Sequence, residues 1–370
     1  MKAMSIIFAH GYDDLGSLTL KRTNAALPFG GRYRQIDFPL SILTNAGIRH
    51  IGILTKQNYK SLMNHIGSGE EWNLELAERH LEYMTPNALG DNLYRGKLEA
   101  MSTAAMDNLV FSTEDYVVLV DSSVVYNIDV NDVLEKHVAS GKDMTIVAVA
   151  GMCGKEKKFD MALSVKDDGE VDEVVVDAPG GENFLASVGM FVIGREMLME
   201  HVNKSVARGR NRLERDLIMR QFYQGNLSLN VYRFTGAVLF NESIQEYYNS
   251  NLALLNREVH QSIFCPERTI YTKTRDCVPT YYGAVSKIDD CIVADGCSLM
   301  GEVEHTVIFR RVTVDKGAHV KDCILMSNAH VCEGAELYCV ILDKDTVVRP
   351  GVRLIGTPTN PIIIKRGEIV

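Results

Sequence analysis

A seven-residue pattern recurs at intervals of 17 residues near the C-terminus: CSLMGEV at 297–303, VDKGAHV at 314–320, VCEGAEL at 331–337 and VRPGVRL at 348–354. Small or aliphatic residues stand at the first, fifth and seventh positions of each copy. A single coil of this length cannot bury its own apolar face, so stacked coils must bury it together. The period therefore predicts a three-sided β-helix of the hexapeptide type. Its turns are expected at Gly317, Gly334 and Gly351.

Residues 1 to about 255 have a different pattern, in which short apolar runs alternate with segments of helical spacing. The runs at 51–54, 116–120 and 144–149 suit strands that are buried on both faces. Alternation of strands with helices predicts a mostly parallel sheet with helices on both sides. Such sheets bind ligands at the carboxyl ends of their strands, so chemistry is expected in the loops after Ala9 and Val120.

Length and composition limit the classes of function. A chain of 370 residues predicts two domains, with boundaries expected at 1–255 for the sheet domain, 256–282 for a linker and 283–370 for the β-helix. Lys+Arg 39 against Asp+Glu 48 gives a net charge of −9, which argues against binding to nucleic acid or anionic lipid. The absence of a long apolar run and of a signal-like start predicts a cytoplasmic protein without a membrane span.

The stretch PFGGRYRQIDFPLS at 28–41 resembles the glucose-1-phosphate adenylyltransferases, also called ADP-glucose pyrophosphorylases. The resemblance continues through NAGI at 45–48, YRG at 94–96, SVGMFV at 187–192 and the C-terminal repeats. It implies an α/β fold, with a Rossmann-like nucleotidyltransferase domain followed by a left-handed β-helix. It also implies an assembly that makes ADP-glucose and pyrophosphate from ATP and glucose 1-phosphate.

The sequence departs from this family where the family binds phosphates. The glycine-rich nucleotide loop is replaced by HGYDDLGSLT at 10–19, which lacks the family's arginine and adds Asp13 and Asp14. The family's catalytic-loop lysine is replaced by Asn24, and its sugar-phosphate lysine by Ala178. Like charges within several Å repel by about 1–4 kcal/mol at the dielectric of a protein surface, so the change disfavours a bound triphosphate.

The two carboxylates that hold Mg²⁺ in the family are also replaced. Their positions carry Ser123 and Phe240, and a hard cation requires oxygen ligands that a phenyl ring does not offer. These losses predict a regulatory, catalytically inactive subunit that binds no cofactor, with Mg²⁺ held by a catalytic partner in a hetero-oligomer, expected to be a tetramer. The assembly would serve glycogen biosynthesis.

Two alternatives remain open at this point. The chain could be a weakly active nucleotidyltransferase with a rebuilt metal site, because Asp121 lies two residues before Ser123 on the same predicted strand. It could instead be a β-helix acyltransferase that uses His319 or His330 as a general base.

Further candidate residues are predicted for a pocket and for an effector site. A substrate-like pocket is predicted around Gly11, Tyr94, Arg95, Gly96, Glu99, Ser187 and Gly189. Guanidinium groups suit phosphate, so Arg32 and Arg34, joined by Lys365 and Arg366, are the candidates for binding an anionic phosphosugar effector. Asp37 is expected to have a structural role, accepting backbone hydrogen bonds at a turn or helix start.

Overall fold

The computed structural model describes residues 2–9, 13–75, 80–85, 94–152, 158–179, 181 and 183–370. Gly11, one of the predicted pocket residues, lies outside this part of the chain. The side chains of Asp13, Asp14 and Ala178 also lie outside it, so the predicted effects of these positions on bound phosphate stay predictions.

The N-terminal domain is built on a nine-stranded sheet. Its described neighbours run β11-β10-β13-β6-β1-β4-β5, and β8 lies between β13 and β14. The strands of this domain are β1 Ala3–Phe8, β2 Pro28–Phe29, β3 Tyr33–Arg34, β4 His50–Leu54, β5 His80–Met84, β6 Tyr116–Asp121, β7 Val124–Val125, β8 Met144–Val149, β9 Lys158–Phe159, β10 Ala162–Val165, β11 Val171–Val175, β12 Ala178–Pro179, β13 Leu185–Gly194, β14 Leu229–Phe234 and β15 Leu239–Phe240.

The predicted parallel strands are confirmed. β1 pairs in parallel with both β4 and β6, and β8 pairs in parallel with β14. All six residues of β8 are buried, as expected for a strand covered on both faces. β13 pairs antiparallel with β6 and with β8, a feature that the apolar runs did not predict.

Helices cover the sheet and connect its strands. They are α1 Asp37–Asn45, α2 Lys60–Ile66, α3 Lys97–Ala100, α4 Met106–Phe111, α5 Val130–Ser140, α6 Arg195–Val206, α7 Arg220–Tyr223, α8 Ile244–Ala253 and α9 Arg257–Ile263. Local sequence sets the ends of α5: the Asp129 carboxylate accepts the backbone N–H of Asn131 at 2.9 Å, and Gly141 ends the helix at φ 62°. A π-helical segment, Met101–Ala105, joins α3 to α4.

The C-terminal domain is the predicted left-handed β-helix. Its strands are β16 Tyr281–Tyr282, β17 Lys287–Val293, β18 Ser298–Leu299, β19 Glu302–Ile308, β20 Thr313–Val314, β21 His319–Lys321, β22 Ile324–Leu325, β23 His330–Val331, β24 Glu336–Tyr338, β25 Val340–Leu342, β26 Val347–Val348, β27 Arg353–Ile355 and β28 Ile362–Ile364. Successive coils pair in parallel 17 residues apart, as in Val314 with Val331 and Val331 with Val348. The inward positions Ala318 and Ala335 are fully buried.

The first interval of the repeat differs from the prediction. Leu299, not Cys297, lies in register with Val314, so this coil is 15 residues long. The corner between β18 and β19 is two residues shorter than the next corner, and Gly301 permits it. A Cβ at Gly301 would lie 2.5 Å from the carbonyl oxygen of Ala318.

The two domains meet along the hairpin of β2 and β3. Gly30 and Gly31 form its turn with φ of 58° and 82°, a conformation that favours glycine. A Cβ at Gly31 would lie 3.0 Å from Ile292 of β17. Nearby, the buried Arg22 guanidinium forms an ion pair with Asp343 in the β-helix. The domain boundaries at 255 and 283 stay predictions, and the segment between them contains α9 and β16.

The length and polarity of the helices bear on the question of a membrane span. Among the residues described, no helix combines the length and apolarity needed to cross a bilayer.

Candidate functional site

The carboxyl end of β6 carries a buried cluster of three charged side chains. Lys97, the first residue of α3, donates from its ammonium to Asp121 at 2.6 Å and to Glu214 at 2.6 Å. The three side chains are exposed by 12%, 8% and 6%, respectively. We call Lys97, Asp121 and Glu214 the ion cluster. It connects the sheet to a π-helical segment, Leu213–Met219, that lies far away in sequence.

Asp121 is held in place by its neighbours. Its second carboxylate oxygen accepts the Ser123 hydroxyl at 3.2 Å. The register of β13 against β8 shifts between Ser187 and Met190, and Gly189 in this bulge has φ 75°. A Cβ at Gly189 would lie only 2.6 Å from the Asp121 Cβ, so glycine allows the bulge to pack directly on the carboxylate.

Aromatic side chains fill the space beside the ion cluster. Phe240, 4% exposed, packs edge to face on Phe159 with ring centroids 5.4 Å apart. The Lys97 ammonium also lies 5.2 Å from the centroid of the Phe8 ring, a cation–π contact. The cavity that remains between these groups has a volume of about 10 Å³. Since about 10–15 Å³ is the minimum for one water molecule, the cavity lined by these described residues is too small for a nucleotide or a sugar.

The charges around this cavity repel phosphate. Among the described residues that line it, four are acidic, namely Asp121, Asp160, Glu214 and Glu242, and Lys97 is basic. The residues do not fit the family's magnesium either. Ser123 and Phe240 supply no carboxylate at the two family positions, and the adjacent Asp121 carboxylate is already bound by an ammonium.

The other predicted pocket residues surround this region without forming an open pocket in the described part of the chain. Tyr94 is buried, and Arg95, whose side chain is 70% exposed, donates to the Glu99 carboxylate from its backbone N–H at 2.8 Å. Gly96 is required by packing, because a Cβ there would lie 2.3 Å from the carbonyl oxygen of Asn211. Ser187 lines the small cavity, and its side chain is uncharged.

Asn24 and Ala178, the predicted replacements of the two family lysines, lie in two short elements of the sheet domain. Asn24 is 3% exposed and lies in a short 3₁₀ segment, Asn24–Ala26, where its side-chain amide points to the Asn241 carbonyl at 3.5 Å. Ala178 begins the two-residue strand β12, which pairs with β9.

A second cleft, of about 450 Å³, lies at the junction of the two domains. We call it the basic cleft. Eight of its described lining residues are basic and one, Asp345, is acidic. The basic residues are Lys21, Arg32, Arg34, Lys60, Arg275, Arg310, Lys344 and Arg366. This composition is that of an anion-binding site.

Burial, together with the crowding of cations, lowers the pKa values of basic groups in the basic cleft. Burial, followed by repulsion from Arg34 and Arg22, lowers the pKa of Lys344 to about 7. Burial also lowers the pKa of Arg34 to about 10, an effect that the Asp37 carboxylate opposes. Both groups would gain a favourable partner from a bound anion.

The four predicted effector residues are not equivalent. Arg32 is exposed, whereas Arg34 donates to the Ser61 carbonyl at 2.7 Å and to the Ser61 hydroxyl at 3.1 Å. Arg366 donates two hydrogen bonds to Asp345 at 3.1 Å. These three arginines line the basic cleft together, but Lys365 is not among its lining residues.

Asp37 has the contacts expected of a structural residue. It is fully buried at the start of α1, where it accepts the backbone N–H of Arg34 at 2.9 Å and the Thr272 hydroxyl at 2.6 Å. It also pairs with His65, whose pKa is lowered by burial. Asp37 thereby fixes the strand that carries Arg34 into the basic cleft.

The histidines considered for acyl transfer are both paired with acids. His319 lies 3.2 Å from Glu302, with its side chain 57% exposed. His330 uses the same ring nitrogen, Nε2, to contact Asp315 at 2.7 Å and the Cys332 sulfur at 3.9 Å. A nucleophile–base–acid relay needs opposite ring nitrogens, and burial raises the pKa of the Cys332 thiol, so this group does not form one.

Sequence reasoning missed Lys97 and Glu214 as members of one site. Glu214 lies 117 residues away from Lys97 in sequence, and no motif links them. The available signal is a lysine directly after Tyr94-Arg95-Gly96, together with Asp121 at the end of a predicted strand.

Comparisons with known proteins agree with this architecture. Residues 5–233 match the "Nucleotidyl transferase" family, and residues 277–360 match the "GlmU-like, C-terminal hexapeptide" family. The chain is 32% identical over 370 residues to "Glycogen biosynthesis protein GlgD" of Geobacillus stearothermophilus, covering 100% of this chain and 97% of that protein.

Two further relatives cover nearly as much of the chain. "Glycogen biosynthesis protein GlgD" of Bacillus subtilis (strain 168) is 30% identical over 356 residues, which are 96% of this chain and 93% of that protein. "Glucose-1-phosphate adenylyltransferase" of Bacillus cytotoxicus is 26% identical over 363 residues, which are 96% and 91% of the two chains. The similarity therefore spans both domains.

Proposed function

We propose that this member of the nucleotidyl transferase family is a regulatory subunit without catalytic activity of its own. Within the family, the chain belongs to the group of GlgD proteins and glucose-1-phosphate adenylyltransferases. It would act in glycogen biosynthesis, in an assembly with a catalytic subunit that makes ADP-glucose from ATP and glucose 1-phosphate. The fold is that of the nucleotidyl transferase family, and the described residues at the end of β6 support the predicted loss of the groups that the reaction needs.

The observation that carries this proposal is the ion cluster. Nucleotidyl transfer depends on neutralising the charge of the phosphates with metal ions and cationic side chains. Here a lysine binds the carboxylate at the end of β6, and the surrounding cavity is acidic and about 10 Å³ in volume. Loss of one comparable stabilising group costs about 2.7–4 kcal/mol of transition-state stabilisation, and several are replaced together.

The basic cleft supports a regulatory role. It lies between the sheet domain and the β-helix, so an anion bound there would contact both domains at once. Arg32 and Arg34 come from the β2–β3 hairpin and Arg366 from the C-terminal end of the chain, and all three line it. Guanidinium groups bind phosphate in a bidentate manner, and we propose a phosphosugar as the effector.

The first coil of the β-helix supports contact with another subunit. Tyr281 and Tyr282 are 60% and 51% exposed, and Val278 and Val285 beside them are 73% and 68% exposed. An exposed apolar patch on an open strand edge marks an interaction surface. We propose that the catalytic subunit covers it in the assembly.

The alternative of weak activity with a rebuilt metal site depends on Asp121, and Asp121 is bound by Lys97 at 2.6 Å.

The acyltransferase alternative depends on a histidine that holds a carboxylate on one ring nitrogen and a nucleophile on the other. His330 uses Nε2 for both Asp315 and Cys332. His319 contacts Glu302 through Nδ1. Among the described residues, neither histidine has a nucleophile hydrogen-bonded to its opposite ring nitrogen.

The proposal is tested by measuring pyrophosphate release from ATP and glucose 1-phosphate with this chain alone, with the catalytic subunit alone and with their mixture. We expect activity in the mixture that exceeds that of the catalytic subunit and responds to a phosphosugar. A mixture that behaves as the catalytic subunit alone, at concentrations where the two proteins co-purify, would exclude regulation.

A further inference from the structure

The position of Lys97 has a consequence for metal binding. We propose that the Lys97 ammonium takes the place of a divalent cation in this cleft. The chain would then bind no magnesium at the end of β6, and Asp121 and Glu214 would become a divalent-cation site once the ammonium is removed.

The geometry of the ammonium is close to that of a bridging metal ion. Its nitrogen lies 2.6 Å from an oxygen of Asp121 and 2.6 Å from an oxygen of Glu214. Ca²⁺–oxygen distances are about 2.3–2.6 Å and Mg²⁺–oxygen distances about 2.0–2.1 Å. Calcium would therefore need little movement of the carboxylates, whereas magnesium would need each oxygen to move by about 0.5 Å.

The charge balance also favours binding of a divalent cation to Asp121 and Glu214 once the ammonium is removed. One ammonium between two carboxylates leaves the ion cluster with a net charge of −1, and its loss would leave two buried carboxylates that repel each other. A divalent cation would neutralise both. Since Asp160 and Glu242 also line the cavity, the local field attracts cations and repels anions.

The covalent attachment of the ammonium to α3 explains why a lysine can hold this position permanently. The side chain starts from the first residue of α3, and the backbone of the next residue, Leu98, donates to the Asn211 carbonyl at 3.0 Å. Lys97 thus joins α3, the end of β6 and the segment Leu213–Met219 as a bound ion would, but without a dependence on the concentration of metal.

This inference concerns the same cleft as the proposed function, but it is tested on the isolated chain by metal binding. Regulation of a catalytic partner is tested by turnover of the mixture. Failure of one experiment therefore leaves the other interpretable.

The experiment compares the wild-type chain with Lys97→Met, which keeps the aliphatic stem and removes the charge. A triple variant, Lys97→Met with Asp121→Asn and Glu214→Gln, removes the carboxylates as well and serves as the matched control. Mn²⁺ binding is followed by the electron paramagnetic resonance signal of free Mn²⁺. Thermal unfolding is recorded with and without Mn²⁺ or Ca²⁺.

We expect no Mn²⁺ bound to the wild-type cleft and an unfolding temperature that does not respond to either ion. Lys97→Met should bind one Mn²⁺ per chain, and metal at about 100 times its dissociation constant should raise its unfolding temperature by about 5 °C. The triple variant should show neither effect.

Two results would overturn the inference. One is a wild-type chain that binds Mn²⁺ in a manner abolished by Asp121→Asn, a result that stands even if Lys97→Met does not fold. The other is a folded Lys97→Met that neither binds Mn²⁺ nor is stabilised by Mn²⁺ or Ca²⁺.

Discussion

The cavity beside the ion cluster and the basic cleft differ in charge, volume and location. The cavity at the end of β6 is acidic and about 10 Å³ in volume, and two of the four carboxylates that line it, Asp121 and Glu214, are bound by Lys97. The basic cleft at the domain junction has eight basic residues against one acidic residue and a volume of about 450 Å³. The chain thus has a closed cleft at the position where the family resemblance implies a catalytic site, and an open cleft whose charge suits an anion. The difference separates the two parts of the proposed function, because the closed cleft bears on catalysis and the open one bears on control by a ligand.

The largest expected effect comes from removing the cation of the closed cleft. Lys97→Met should lower the free energy of unfolding by about 3–5 kcal/mol, because it leaves buried carboxylates without their partner. The control is Lys136→Met, whose ammonium pairs with Asp132 at 3.0 Å but is 59% exposed. It should cost about 0.3–0.5 kcal/mol.

Urea unfolding in the absence of divalent ions measures both variants. Equal stability losses for the buried and the exposed lysine would show that the ion cluster does not stabilise the closed cleft.

The second prediction concerns the bulge that packs on Asp121. Gly189→Ala should lower the free energy of unfolding by about 2–4 kcal/mol, since it combines a positive φ with a Cβ placed 2.6 Å from the Asp121 Cβ. Gly209→Ala is the control, because Gly209 has φ 71° with open space around the added Cβ, and it should cost about 1 kcal/mol. Chemical denaturation would distinguish them, and equal losses would show that the close packing is relaxed without cost.

The third prediction moves to the basic cleft. Replacing Arg32 and Arg34 together by Ala should weaken binding of a sugar phosphate by at least about tenfold, since two charge-assisted hydrogen-bond donors are lost. Lys365→Ala is the control, because Lys365 lies beside Arg366 in sequence without lining the cleft. Titration calorimetry with a panel of sugar mono- and bisphosphates measures the change.

For the assembly, the same variants are compared by the effector concentration that gives half-maximal activation. Unchanged activation with the double arginine variant would remove the basic cleft from the regulatory account.

The smallest expected effect is a pH dependence in the basic cleft. Lys344 has a pKa of about 7, lowered by burial and by nearby cations, so it is protonated below pH 7 and largely neutral above it. A bound anion favours the protonated form, and binding above pH 7 therefore requires proton uptake. Sulfate, whose charge is constant here, should bind about fivefold more weakly at about pH 8 than at about pH 7.

Lys344→Met should abolish this dependence while lowering the affinity at pH 7. His65 also lines the cleft, but its lowered pKa places its titration below this window. A slope that persists in Lys344→Met would assign the effect to another group.

The sequence predicted the fold well because stacking sets its period. Each coil of the β-helix must place an aliphatic residue above the previous one, and this requirement is visible as Val314, Val331 and Val348. The shift at Leu299 was not predicted, because a coil two residues shorter keeps its apolar pattern. Local repeats therefore report the architecture but not the register of each coil.

The site was only partly predictable for a physical reason. Replacement of the family carboxylates by Ser123 and Phe240 is legible in the sequence. The pairing of Lys97 with Glu214 is not, since these residues are 117 positions apart and meet only when the helical segments pack on the sheet. The basic cleft likewise combines Arg32 with Lys344 across two domains.

The central claim, that this chain carries a nucleotidyl transferase fold without its activity, is tested most directly by the rate of pyrophosphate release with the isolated chain in ATP, glucose 1-phosphate and Mg²⁺. We predict a rate equal to the blank without protein, for the wild type and for Asp121→Asn alike. Turnover that saturates with both substrates and is lost in Asp121→Asn would contradict the account.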